Sequence, residues 1–133
     1  MKNDKTDNHE QLFWEEIDRL FPDMIKAIAS LSKKSYLSIT NLRTGITWWS
    51  ERAMDYFGMK ENYTIRGMEK ANRKIHPDDV ATFKRGFKER VDGKNLDTAW
   101  EYRIQDGDSY NRFNAMARVL YDEQKQPFII IIR

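Results

Sequence analysis

The chain has 133 residues, of which 33% are charged, and its formal net charge is only +2. That length suits one domain with a single hydrophobic core, and a mixed-sign surface gives no electrostatic reason to expect nucleic acid or an anionic membrane as partner. The sequence contains no cysteine and two histidines, His9 and His76, which removes thiol catalysis, disulfides and thiolate metal sites, and no metal site is expected.

Met1 to Glu10 is polar rather than a signal sequence, and no apolar run approaches the roughly 20 residues of a membrane span. A cytoplasmic location is therefore expected. Residues 1–8 have nothing to bury and are expected to form a frayed tail. Residues 9–34 form a helical flank, in which Phe13, Ile17, Leu20, Met24, Ala27 and Leu31 recur at spacings of four and three and so share one stripe. Pro22 divides it, ending a first helix near Phe21 and opening a second at its first position. Two uses of the stripe stay open: packing on the domain's own sheet, or also pairing with a second copy, with Phe13, Ile17, Leu20, Met24 and Leu31 as the dimer interface.

From residue 35 the pattern changes. Leu37 and Ile39 alternate with Ser38 and Thr40, Arg43-Thr44-Gly45 makes a turn, and Ile46 to Ser50 returns as a second strand. Trp48 and Trp49 are adjacent, so they point to opposite faces, one toward the domain interior and one toward an N-terminal helix. Ser50 caps a short helix from Glu51 to Phe57 that Gly58 ends. Between 59 and 74, Ile65, Met68 and Ala71 predict one more short helix.

Ile75-His76-Pro77-Asp78-Asp79 is the cleanest helix start in the sequence. Proline fits the first helical position, and two carboxylates face the free amides of the first turn. Val80, Phe83, Phe87 and Val91 mark one apolar face until Asp92-Gly93 stops the helix. His76 has no second histidine nearby and its neighbouring carboxylates are explained by capping, so it is read as structural. Lys84, Arg85, Lys88 and Arg90 are interspersed with Glu89 and Asp92, which is the pattern of a solvated helix face.

Trp100, Tyr102 and Ile104 alternate with polar residues, Asp106-Gly107-Asp108 turns the chain, and Tyr110 to Tyr121 continues with Phe113, Ala115, Ala117 and Val119 two apart. These are two long strands of a hairpin, which needs further strands and a covering layer to be stable in water. The chain closes on Phe128-Ile129-Ile130-Ile131-Ile132-Arg133. Such a run suits a central strand buried on both faces, and its position at the end implies that an output domain follows in the same chain.

Taken together, the histidine-proline-aspartate-aspartate start at 76–79, Glu101-Tyr102-Arg103 in a strand, the Asp106-Gly107 turn and the final isoleucine strand resemble a PAS domain, over about Tyr36 to Arg133. The resemblance implies an α+β fold for residues 35–133: a five-stranded antiparallel sheet in the order 2-1-5-4-3, helices over one face enclosing a small pocket, and an N-terminal helical flank. It implies a sensory and interaction module. The arrangement is similar to the N-terminal regulatory part of GGDEF-type diguanylate cyclases, with histidine kinases the next most similar context. No phosphate-cradling glycine loop or paired metal carboxylates of a cyclase occur in these residues themselves.

The flavin and covalent-chromophore sensors of the family use a cysteine, and its haem sensors use a histidine within the long helix, which residues 77–92 lack. A non-covalent flavin or a small apolar or carboxylate metabolite stays open as the cofactor or ligand, with Phe83, Phe87, Trp100, Tyr102, Phe113 and Ile130 as pocket walls. Aromatics that simply fill the core are the competing reading. Three functions follow: a ligand- or partner-driven regulatory module acting through a homodimer, a ligand-free dimerisation module, and a small cone-shaped isomerase using a buried carboxylate such as Glu101 or Asp55 as base.

Overall fold

The computed structural model describes the backbone of residues 5–21, 23–31 and 34–133, with side chains for all of these except 5–8, 24, 25, 29, 31, 67, 68 and 70. Two helices come first, α1 (Lys5–Leu20) and α2 (Met24–Leu31). The hairpin β1 (Ser38–Asn41) and β2 (Ile46–Trp49) follows, then α3 (Glu51–Phe57), β3 (Tyr63–Ile65), α4 (Gly67–Asn72), a 3₁₀ turn (Pro77–Asp79) and α5 (Val80–Val91). The chain ends in β4 (Trp100–Asp106), β5 (Ser109–Ala115), β6 (Ala117–Tyr121) and β7 (Pro127–Ile132). α1 starts inside the stretch expected to fray. Pro22, expected to open the second helix, lies outside the described residues.

Five antiparallel strands form one sheet in the order β3-β2-β1-β7-β6, and β4 and β5 form a two-stranded ribbon. The ribbon continues the sheet. Met116, between β5 and β6, exchanges both backbone hydrogen bonds with Arg133 at 2.9 Å, so Ser109 to Tyr121 is one long leg that pairs with β4 along its first half and β7 along its second. The expected order of two hairpins around a final central strand is thus present, with a sixth strand-forming segment added at one edge. That edge strand, β3, occupies residues expected to be helical. Tyr63-Thr64-Ile65 alternates and is rich in strand formers, and it pairs as Trp48↔Tyr63 and Ile46↔Ile65, leaving only Gly67–Asn72 to coil.

Each face of the sheet carries its own core. On one side Ile130 and Ile132 of β7 join Trp100, Tyr102, Ile104, Ala115 and Ala117 beneath Phe83 of α5. On the other, Ile39, Ile46 and Ile129 pack with Phe13 and Ile17 of α1, both fully buried. Trp49 and Trp48 divide between these faces as the strand pleat requires: Trp49 packs on Ala53 and Ala71, and Trp48 on the α1 side.

Polar contacts fix α1 in place. Trp14 Nε1 donates to the Tyr63 hydroxyl at 2.7 Å, and buried Asn41 donates from Nδ2 to the Phe13 carbonyl at 3.3 Å. Arg43, in the β1–β2 turn, pairs with Glu16 of α1 and with Asp122 in the β6–β7 turn, its guanidinium 4.8 Å from the Phe128 ring centre. Backbone donors at Gln126, helped by Arg43 and Gln124, hold the Asp122 carboxyl below its usual range.

This docking changes the reading of the helical stripe. Phe13 and Ile17, expected as dimer contacts, are taken up by the domain's own sheet, and Leu20 packs partly buried beside them. The side chains of Met24 and Leu31 lie outside the described residues. Ile17→Ala is expected to cost about 2–5 kcal/mol in urea unfolding, the range for a buried aliphatic truncation. Ile17→Asp is expected to unfold the domain rather than yield a folded monomer; a folded, soluble Ile17→Asp protein by circular dichroism would contradict this docking.

Gly86 sits in the middle of α5, where glycine ordinarily weakens a helix by roughly 0.5–1 kcal/mol against alanine. Its reason is steric: an added Cβ would lie 2.5 Å from Trp100 Nε1 and 2.8 Å from Cε2. Buried Phe83, Tyr102 and Arg90 pack around the indole, so it must shift against them, and overpacking typically costs about 1–3 kcal/mol, more than the helix gains. Gly86→Ala is therefore expected to lower Tm, against the usual direction of this substitution.

Candidate functional site

Between α3–α5 and the sheet lies a cavity of about 60 Å³. Its walls are overwhelmingly apolar, with Phe83 of α5, Phe57 and Ala53 of α3, Trp49 of β2 and Tyr102 and Ile104 of β4 among them. Ser38, Asn114, Tyr36 and Arg133 bring polar atoms to one end. Trp49 Nε1 is already satisfied by Thr64 Oγ1 at 2.8 Å, so its indole presents carbon rather than a donor. Burial drives the Tyr102 hydroxyl well above its usual pKa, with the Arg90 cation opposing, and it stays neutral throughout the stable range.

Of the six expected wall residues, three line this cavity: Phe83, Tyr102 and Phe113. Phe87, Trp100 and Ile130 belong to the same core but not to the wall. The Trp100 ring stacks on Phe83 at 4.8 Å with 19° between planes and lies against Gly86 with the Arg90 guanidinium 4.5 Å from it, so Phe83 stands between it and the cavity. Ile130, paired opposite Thr40 and Val119, sits deeper along β7. Sequence reasoning missed Tyr36, Ser38, Trp49, Ala53 and Arg133. Ala53 and Trp49 were legible as inward positions of a helix and a strand, but Tyr36 and Arg133 carry no periodicity that marks them.

The volume limits the contents. Pockets for drug-sized ligands run from roughly 300 to 1,000 Å³, while one water needs about 10–15 Å³ of such space. As packed, the cavity holds a few waters or a small apolar molecule and not a flavin. No acid–base chemistry is built into it: Glu101, half exposed, lies 3.5 Å from Arg112 on the outer face, and Asp55 is exposed on α3, so neither is the buried base an isomerase would need. Among the described residues no three His, Asp or Glu side chains converge as metal ligands.

His76 and Asp79 have structural employment. His76 Nδ1 accepts the Asp78 amide at 3.1 Å, capping the 3₁₀ turn that leads into α5. Asp79 makes a two-pronged ion pair with Arg103 of β4, Nε to Oδ2 and Nη2 to Oδ1 both 2.9 Å, and Oδ2 also accepts the Arg103 amide at 2.9 Å. With Gln105 N donating to the Lys74 carbonyl at 2.7 Å and His76 N to the Arg103 carbonyl at 2.9 Å, these contacts close the outer edge of β4, which would otherwise stand open for pairing. The two motifs of the helix start and the glutamate-tyrosine-arginine strand thus meet in space.

The family description "PAS fold" matches residues 46–132, more than half of the chain. The chain belongs to the PAS family. Among solved structures, the PAS domain resembles a sensory box histidine kinase/response regulator from Burkholderia thailandensis E264, with TM-score 0.56, 16% identity, and 81% of this chain and 79% of that one covered. It resembles the N-terminal domain of a diguanylate cyclase with PAS/PAC sensor from Marinobacter aquaeolei to the same TM-score of 0.56, at 15% identity and 72% and 88% coverage. A PAS domain from Colwellia psychrerythraea follows, with TM-score 0.51, 19% identity and 84% and 96% coverage. No curated protein matches. Among the described residues no helix is long and apolar enough to cross a membrane.

The Asp79–Arg103 pair is expected to make the PAS domain sensitive to acid. Hydrogen bonds from Arg103 lower the Asp79 pKa from 3.8 to about 2. A carboxyl depressed in the folded state adds stability above its unfolded pKa and loses it as pH falls toward the folded value. Tm of the wild type is expected to fall between about pH 4 and pH 2, and Asp79→Asn to lower Tm at neutral pH while flattening that acid limb; an unchanged limb would assign it to other carboxylates.

Proposed function

We propose that this PAS domain is the regulatory module of a cytoplasmic signalling protein, controlling a downstream output domain, a diguanylate cyclase first and a histidine kinase second, through rearrangement of a homodimer. The observation that carries the reading is the position of the cavity. Tyr36, Leu37 and Ser38, where the chain enters β1, and Ile132 and Arg133, where it leaves β7, line the same small space. A small molecule held there touches both the segment that leads from the N-terminal helices and the strand end that would join an output domain. A ligand shifts such a system only to the extent that it binds one arrangement more tightly than the other, and contact with both chain ends supplies the differential. The similarity to sensor domains of a diguanylate cyclase and of a histidine kinase supports the choice of output domains.

In this reading the dimer forms through the N-terminal helices on the side turned away from the sheet, because Phe13 and Ile17 are already committed. The modest cavity volume, about 60 Å³, favours a second reading in which the domain dimerises without a ligand. Native mass spectrometry of protein purified gently from its own host separates the two. A released small neutral molecule supports sensing, and an empty dimer supports dimerisation alone. Ala115 lines the cavity, and Ala115→Leu fills it. That substitution is expected to abolish any ligand-induced rise in Tm at an intrinsic cost of no more than about 1–3 kcal/mol; a rise that survives it places the ligand elsewhere.

A further inference from the structure

Two lining rings, Tyr36 and Phe113, cluster with Tyr56 where the cavity wall reaches the surface, all three partly exposed. Tyr36 lies 5.3 Å from Phe113 and 5.6 Å from Tyr56, and Tyr56 lies 5.3 Å from Phe113, each pair edge to face. Two of the three are fixed. Phe113 stands in the β4–β5 ribbon opposite Tyr102, and the Tyr56 hydroxyl donates to the Ile104 carbonyl at 3.5 Å and accepts from Asn111 Nδ2 at 3.1 Å.

Tyr36 differs in kind, being carried by residues 34–37, which lead into β1 and belong to neither helix nor strand. Its backbone neighbours on both sides are pinned by one buried hydroxyl: Ser50 Oγ donates to the Ser35 carbonyl at 2.6 Å and accepts the Leu37 amide at 3.2 Å. The same oxygen accepts the Ala53 amide at the start of α3, and Ser50 N donates to the Leu37 carbonyl at 3.0 Å. The Tyr36 ring itself is half-buried and rests under the Arg52 guanidinium, 4.5 Å from the ring centre, while Arg52 Nη1 donates to the Lys34 carbonyl at 3.1 Å. Backbone on either side is stapled, which leaves rotation about the χ bonds as the ring's freedom.

We propose that Tyr36 is the gate of the cavity and Arg52 its catch, admitting small neutral apolar molecules by rotation of the Tyr36 ring away from Phe113 and Tyr56. The proposal rests on the reading of the cavity as the ligand site. It adds a regulatory consequence: because Arg52 holds both the Tyr36 ring and the Lys34 carbonyl, release of that contact frees the ring and opens the cavity.

Xenon is the probe, since apolar cavities take it up, read by xenon exchange NMR and by methyl shifts of Ile75, Ile104 and Ile132 on the cavity wall. Arg52 is exposed, so Arg52→Ala leaves the core intact; removing its cation–π contact is expected to speed xenon exchange about two- to fivefold. Arg52→Lys is expected to restore part of the difference, Tyr36→Ala to exceed Arg52→Ala, and Lys84→Ala, on the exposed face of α5, to leave the rate unchanged. Xenon that binds the wild type and exchanges at the same rate in Arg52→Ala and Tyr36→Ala overturns the gate and leaves the cavity reading standing. Methyl shifts absent from both the wild type and Tyr36→Ala overturn both, and shifts that emerge only on Tyr36→Ala support a closed gate.

Discussion

Burial of β7 on both faces is the constraint from which the rest follows. Ile130 and Ile132 feed the core beneath α5, and Ile129 and Ile131 feed the core beneath α1. A strand with no solvent face needs a neighbour on each edge and a layer on each side. β1 and β6 supply the edges, with Ser38↔Ile132 and Ala117↔Ile132 registering both to the same residue. Phe128 breaks the alternation for a definite reason. Leu120 pairs with Ile129 while Tyr121 pairs with Pro127, so Phe128 is the extra residue of a bulge and turns to the α1 side with Ile129, where Phe21 stacks on it at 6.3 Å.

The cavity is a by-product of how the second layer is assembled. α5 approaches the ribbon closely at Gly86, where Trp100 fills the gap, and Phe83 stacks on that indole and meets Tyr102 edge to face, 4.8 Å from each. Nearer the chain ends the sheet is covered by the short helices α3 and α4, whose small residues Ala53 and Ala71 face inward. Large residues pack one end of the layer and small ones the other, and the space is left where they change over. Arg90 belongs to the dense end: nearly fully buried, it spends its guanidinium on the Gly86 and Thr98 carbonyls and the Trp100 face. Its position tightens the end of α5 and adds a positive charge where the helix dipole favours one.

Strands were the most legible part of the sequence because period-two alternation and turn chemistry act locally. The Asp106-Gly107 turn shows this, with Gly107 at φ 62°, a conformation glycine adopts freely. The helix start at 76–79 was legible for the same reason. What stayed hidden depends on partners distant in sequence. Asp79 reads as a helix-start carboxylate until Arg103, 24 residues on, takes both of its oxygens. β3 is three residues long and exists because β2 has a free edge to offer. Of the expected walls, Trp100 was misplaced because size and aromaticity mark a residue as buried without saying whether it borders space or fills it.

The two ends of the domain differ in what it costs to move them, and this decides where a signal can act. Freeing α1 would expose Phe13 and Ile17, each worth roughly 2–5 kcal/mol when buried, against a total stability for such domains of about 5–15 kcal/mol. A molecule small enough for a cavity of about 60 Å³ has few heavy atoms, and even the best small ligands gain no more than about 1.5 kcal/mol for each. Undocking α1 would consume all of that. Turning Tyr36 against one cation–π contact and two edge-to-face aromatic contacts, or easing Arg133 at the end of β7, costs less. On the proposed function, a signal therefore runs through the segments that flank the cavity, with α1 and the sheet as the body against which they move.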